Sequence, residues 1–109
     1  MPTPLIYVNG LFWPLDKAKV SVLDRGFMYG DGLFETLRAY SKNVFRLEEH
    51  LDRLLRSAQL ILLELPMTRN EICSAIYETI EVNGLSDSII RFTVTRGEQE
   101  SGINICIKF

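Results

Sequence analysis

Between Tyr40 and Leu47 the hydrophobic pattern of this chain changes period, and that change restricts the folds open to it. From Leu33 to Tyr40 the residues split by parity, as on a strand: Leu33, Glu35, Leu37 and Ala39 share one face, and Phe34, Thr36, Arg38 and Tyr40 share the other. Ser41-Lys42-Asn43 then turns the chain back into Val44-Phe45-Arg46. Beyond it Leu47, Leu51, Leu54, Leu55, Ala58 and Ile61 or Leu62 recur at helical spacing, which predicts an amphipathic helix over 47–62. A second helix is predicted over 68–83, opening on Thr68-Arg69-Asn70-Glu71 as a capping box and stopping at Gly84. Ile72, Ala75, Ile76, Thr79 and Ile80 form its inner stripe.

On the N-terminal side, Ile6 to Trp13 reads as a hairpin around Asn9-Gly10, with Pro14 ending its second strand. On the C-terminal side, residues 88–95 return to strand with Ile90, Phe92 and Val94 facing the core, and residues 103–107 are a candidate partner strand. Hairpins with a helical pair between them imply one α+β domain over 1–109, a mostly antiparallel sheet with two adjacent helices packed on it.

A chain of 109 residues suffices for one domain with one core, and 47% hydrophobic with 24% charged residues argues against disorder. A net charge of −2 with scattered basic residues gives no footprint for nucleic acid. No apolar run approaches the ~20 residues that cross a bilayer, and no signal pattern opens the chain. Cys73 and Cys106 read as reduced thiols of a cytoplasmic protein, and with a single histidine a metal site is not expected.

Several residues invite a chemical reading. Gly30-Asp31-Gly32 could cradle an anion, but it lacks the Gly-Lys-Ser/Thr of a phosphate loop, so a plain turn is the simpler expectation. Glu35 lies between two leucines on the inward parity and needs a charged partner, expected to be Arg25 or Arg38. Arg53 taken alone is an exposed helical arginine facing Glu49 one turn earlier. His50 is given no catalytic role. Arg91 shares the outer face of its strand with Thr93 and Thr95, and Arg96 falls at the strand end.

The order Asp24-Arg25-Gly26, Tyr29-Gly30-Asp31-Gly32-Leu33-Phe34-Glu35-Thr36, Glu49-His50-Leu51-Asp52-Arg53-Leu54 and Val94-Thr95-Arg96-Gly97 closely resembles the N-terminal domain of class IV (fold type IV) pyridoxal-phosphate enzymes. That family includes branched-chain and D-amino-acid aminotransferases and aminodeoxychorismate lyase. The resemblance implies that Arg53 holds the phosphate of pyridoxal phosphate, a task suited to a planar fork. It implies that Tyr29 and Phe34 line the substrate pocket and that the substrate carboxylate is received by Arg91, which by position resembles the pocket arginine of the branched-chain branch, or by Arg96, which resembles that of the D-amino-acid branch. Glu98, standing where the D-amino-acid branch has histidine, and Phe34, where that branch has tyrosine, favour apolar L-amino acids and their 2-oxo acids. The family is homodimeric. Its Schiff-base lysine lies in the C-terminal half, and none of Lys17, Lys19, Lys42 and Lys108 matches it, so this chain is expected to be inactive alone. The alternatives are a lyase domain of the same family and a non-catalytic dimerisation or binding domain.

Overall fold

Asn9 and Gly10 both take positive φ (49° and 91°), and the chain reverses between β1 (Leu5–Val8) and β2 (Leu11–Pro14) as the Asn-Gly pair predicts. The computed structural model describes residues 3–99. After the hairpin come α1 (Arg25–Tyr29), β3 (Gly32–Tyr40), β4 (Asn43–Val44), α2 (Leu47–Leu60), α3 (Arg69–Val82) and β5 (Ser88–Thr95). The candidate strand at 103–107 lies outside the described residues.

Among the described residues the strands form two antiparallel sheets rather than one: β1 with β2, and β4-β3-β5 with β3 in the middle. β3 and β5 pair along eight residues, from Gly32 opposite Thr95 to Ala39 opposite Ser88. The close approach of the two strands at Gly32 requires the missing side chain, because a Cβ there would stand 2.5 Å from the Val94 carbonyl oxygen. β4 is shorter than the predicted Val44–Arg46 strand and pairs only with Ala39 and Tyr40. Arg46 leaves it in the left-handed region (φ 53°) to start α2, so the chain turns into the helix before a longer ladder can form.

One core joins the sheet to both helices. Leu37 and Ala39 of β3, Leu51 and Leu54 of α2, Ile72, Ile76 and Ile80 of α3 and Ile90 of β5 cluster there. Enclosing a side chain as completely as Leu37, Leu51, Leu54 or Ile80 contributes roughly 2 kcal/mol apiece. The capping box of α3 is present, with Glu71 N–H donating to Thr68 Oγ1 and Thr68 N–H to Glu71 Oε1. α3 ends when Leu85 N–H reaches back to the Ile80 carbonyl around Gly84. Just inside that end, the Asn83 amide binds both the N–H and the carbonyl of Leu5, which ties the separate hairpin to the helix.

The short helix α1 is not among the elements expected from the sequence. Asp24 caps it by accepting from Gly26 N–H (2.8 Å), and Gly30 closes it at φ 66°. Among the described residues no helix is long and apolar enough to cross a membrane.

Candidate active site

Parity puts Glu35 on the inner face of β3, where it is 4% exposed. Its partners are Arg53 and His50 of α2, neither of the arginines expected from sequence. Arg53 grips both carboxylate oxygens, Nε to Oε1 at 2.8 Å and Nη2 to Oε2 at 2.6 Å. His50 Nδ1 stands 2.9 Å from Oε2. Arg38 could not serve, because it lies on the opposite face of β3. Arg25 is turned away, its Nε and Nη2 donating to the carbonyls of Gly97 (3.1 Å) and Arg96 (2.8 Å). Glu49 pairs with Arg46 at 3.8 Å instead of with Arg53.

The Arg53 fork is the main force holding the Glu35 carboxyl below the usual carboxylate range; burial opposes it, and the hydrogen bond to His50 assists. Glu35 is therefore an ionised acceptor, and His50 must carry its proton on Nδ1 to donate to it. The same contact raises the Arg53 pKa above its already high ordinary value.

Although its fork is engaged, the Arg53 side chain is 61% exposed, and Nη1 makes no hydrogen bond among the described residues. It opens on a cleft of about 260 Å³ lined by Leu33, Phe34, Glu35, Arg53, Leu54 and Ser57. The cleft runs beside the stretch of β3 that β4 leaves uncovered, so residues from both faces of the strand reach it. A fixed cation, an adjacent hydroxyl and apolar walls suit an anion attached to a flat apolar body. A larger groove of about 330 Å³ lies between the β1–β2 turn and α3, but its charged lining residues are Glu71 and Glu78. Among the described residues that groove has no positively charged lining residue to set against an anion.

The other expected site residues are distributed unevenly around the cleft. Phe34 lines it and is capped by Arg91, whose guanidinium carbon is 4.6 Å from the ring centroid. Tyr29 ends α1 and donates from its hydroxyl to Gln99 Oε1 at 3.2 Å, away from the lining. Arg96 is absorbed into the framework. Its Nε donates to Asp31 Oδ2 (2.7 Å), and Nη1 and Nη2 donate to the carbonyls of Leu62 (3.0 Å) and Ile61 (2.9 Å) at the end of α2. Sequence reasoning missed the Glu35–His50–Arg53 group as a unit. The available signal was the three-residue spacing of His50 and Arg53, which places them on one helix face opposite an acid of inward parity.

The family profile described as Amino-transferase class IV matches residues 32–107. A protein of Methanocaldococcus jannaschii named "Putative branched-chain-amino-acid aminotransferase" is 48% identical over 99 residues, covering 91% of this chain and 34% of its own length. A D-alanine aminotransferase of Staphylococcus haemolyticus is 39% identical over 92 residues, covering 84% of this chain and 33% of its own length. Among solved structures, the branched-chain aminotransferase of the archaeon Thermoproteus uzoniensis with norvaline superposes at a TM-score of 0.79 with 37% identity, over 93% of this chain and 36% of that one. The chain thus spans about a third of the length of the proteins it matches. With a profile match over most of its length and a solved relative of the same fold, the chain belongs to the class IV aminotransferase family.

Proposed function

We propose that this chain forms the phosphate-gripping and substrate-pocket wall of a pyridoxal-phosphate-dependent aminotransferase acting on branched-chain or other apolar L-amino acids and their 2-oxo acids. The observation that carries the reading is Arg53, aimed by its fork to Glu35 and open on the cleft beside Phe34. The residues present fit the cofactor's phosphate: Arg53 supplies a permanent charge with free N–H groups, and the Ser57 side chain lies in the same lining. When bound, pyridoxal phosphate supplies the electron sink for charge developing at the substrate α-carbon.

The chain's own contribution is binding and orientation. Arg53 fixes one end of the cofactor, and the apolar faces of Leu33, Phe34 and Leu54 exclude water beside it. Arg91, stacked on the Phe34 ring, is the arginine proposed to meet a substrate carboxylate, while Tyr29, which lies away from this lining, is left outside the proposed wall. Arg96 has three nitrogens committed to Asp31 and the end of α2, which weighs against the D-amino-acid pattern that would need it for substrate. The branched-chain name of the 48% identical archaeal relative supports the same side. The proposal includes a cytoplasmic homodimer and a lysine contributed from outside this chain, so that the chain alone neither turns over amino acids nor retains the cofactor.

Replacing Arg53 tests the reading. In the full-length polypeptide bearing this chain, Arg53→Ala is expected to weaken pyridoxal phosphate at least about tenfold in an equilibrium absorbance titration. Its thermal unfolding midpoint should fall as well, because the enclosed Glu35 carboxylate loses its charged partner, so pyridoxal, which lacks the phosphate, is the control ligand and should bind about as before. Unchanged affinity for pyridoxal phosphate would remove Arg53, and the cleft with it, from the cofactor site.

A further inference from the structure

A buried carboxylate between Leu33 and Leu37 is a costly way to hold a strand against a helix. Apolar residues of similar volume generally stabilise such a layer as well or better. Glu35 nevertheless makes three contacts, all directed at one helix face: two from Arg53 and one from His50. The two Arg53 contacts share the plane of the guanidinium, so they fix its orientation as well as its position. Nη1 then remains the nitrogen without a hydrogen bond among the described residues, and the side chain borders the cleft. An arginine with 61% of its side chain exposed would otherwise sample several rotamers at this point of α2.

We propose that Glu35 is a positioning residue, seconded by His50, which pre-orients the Arg53 guanidinium for a phosphate ester in the cleft. The inference rests on the function proposed above and adds a residue to it. Glu35 itself touches neither cofactor nor substrate. His50 donates from Nδ1 to Oε2, the oxygen that Arg53 Nη2 also engages, and so keeps the carboxylate from rotating out of the guanidinium plane. The Glu35 and Arg53 charges offset each other, so what the cleft keeps for an anion is the unengaged Nη1 edge of Arg53.

Pyridoxal phosphate and pyridoxal, which lacks the phosphate, separate this role from a merely structural one. In the full-length polypeptide, Glu35→Gln is expected to weaken pyridoxal phosphate about tenfold, as for loss of a charge-assisted contact, and to leave pyridoxal within about twofold. The Arg53 Nε–H proton signal, expected to be sharp and slow to exchange in the parent because Nε donates to Glu35, should broaden in the variant. Glu35→Asp keeps the charge for folding but withdraws it by one methylene; it is expected to reproduce the same selective loss should Glu35→Gln not fold. Equal weakening of both ligands, or no weakening of either, would overturn the positioning role. If Arg53→Ala abolishes the preference for the phosphorylated ligand while Glu35→Gln and Glu35→Asp retain it, only the Glu35 inference falls. If Arg53→Ala retains it too, the phosphate reading fails along with it.

Discussion

Arg53 and Arg96 both interact with α2, Arg53 from its middle and Arg96 from across its C-terminal end, and their surroundings assign them opposite tasks. Arg96 donates from three nitrogens to Asp31 and to the carbonyls of Ile61 and Leu62, joining the end of β5, the entry to β3 and the last turn of α2. Arg53 donates from two nitrogens to a single buried carboxylate and leaves its remaining edge at a cleft. An arginine shared among backbone carbonyls is a structural clasp. One fixed by a fork on a single side keeps an edge free, which is what the binding role proposed for Arg53 requires. Arg25 follows the first pattern, donating to the carbonyls of Gly97 and Arg96.

The largest effect expected from this contrast is on stability at the clasp. Arg96→Ala leaves Asp31 and two helix-end carbonyls without their donor and should cost about 1.5 kcal/mol in urea unfolding. A loss below about 0.3 kcal/mol would dissolve the distinction between the two arginines. Water can reach the freed carbonyls of an exposed helix end, which keeps the figure from being larger.

A smaller and pH-dependent effect belongs to Glu35. Its folded pKa lies below the unfolded value of about 4.3, so its contribution to stability is fully present above that pH. The contribution fades as pH falls through the lower folded value. The stability gap between parent and Glu35→Gln should therefore be constant from neutrality down to about pH 5 and close at more acid pH. A gap independent of pH across that range would mean that Glu35 is not the ionised partner of Arg53.

The smallest effect sharpens the comparison at the helix end. Leu62 follows α2 in the left-handed region (φ 56°), an unfavourable place for a leucine, and its neighbouring carbonyls are held by Arg96. Leu62→Gly should relieve that strain, for a net gain of roughly 0.5 kcal/mol after the added freedom of the unfolded chain. Destabilisation instead would show that the exposed leucine side chain contributes more than its backbone costs.

Much of this was readable in local pattern. The parity of residues 33–40 placed Glu35 and Leu37 inward, and the structure encloses both. Thr68 and Glu71 announced the start of α3, and the inner stripe of Ile72, Ile76 and Ile80 is the buried one. Both helices end a residue or two earlier than their periodicity suggests, at Leu60 and Val82. Their last carbonyls are satisfied by reversed turns that hydrophobic spacing does not encode. The five-residue helix α1 escaped notice because it buries no residue and so leaves no apolar stripe; only its cap, Asp24, and its terminal Gly30 marked it.

By itself, the order of side chains determined which residues face inward, where the helices begin, that Glu35 needed a charged partner and that Arg53 stood on a helix following that strand. These follow from repeat periods and caps, which act over a few residues. Only the tertiary structure decided which arginine meets Glu35, which arginine is absorbed as a clasp, and that Phe34 and Arg91 stack beside the cleft. The physical reason is that these pairings depend on how α2 docks against β3 and where β5 ends. That docking is set by the shared core of Leu37, Leu51, Leu54 and Ile90, whose members lie up to half the chain apart.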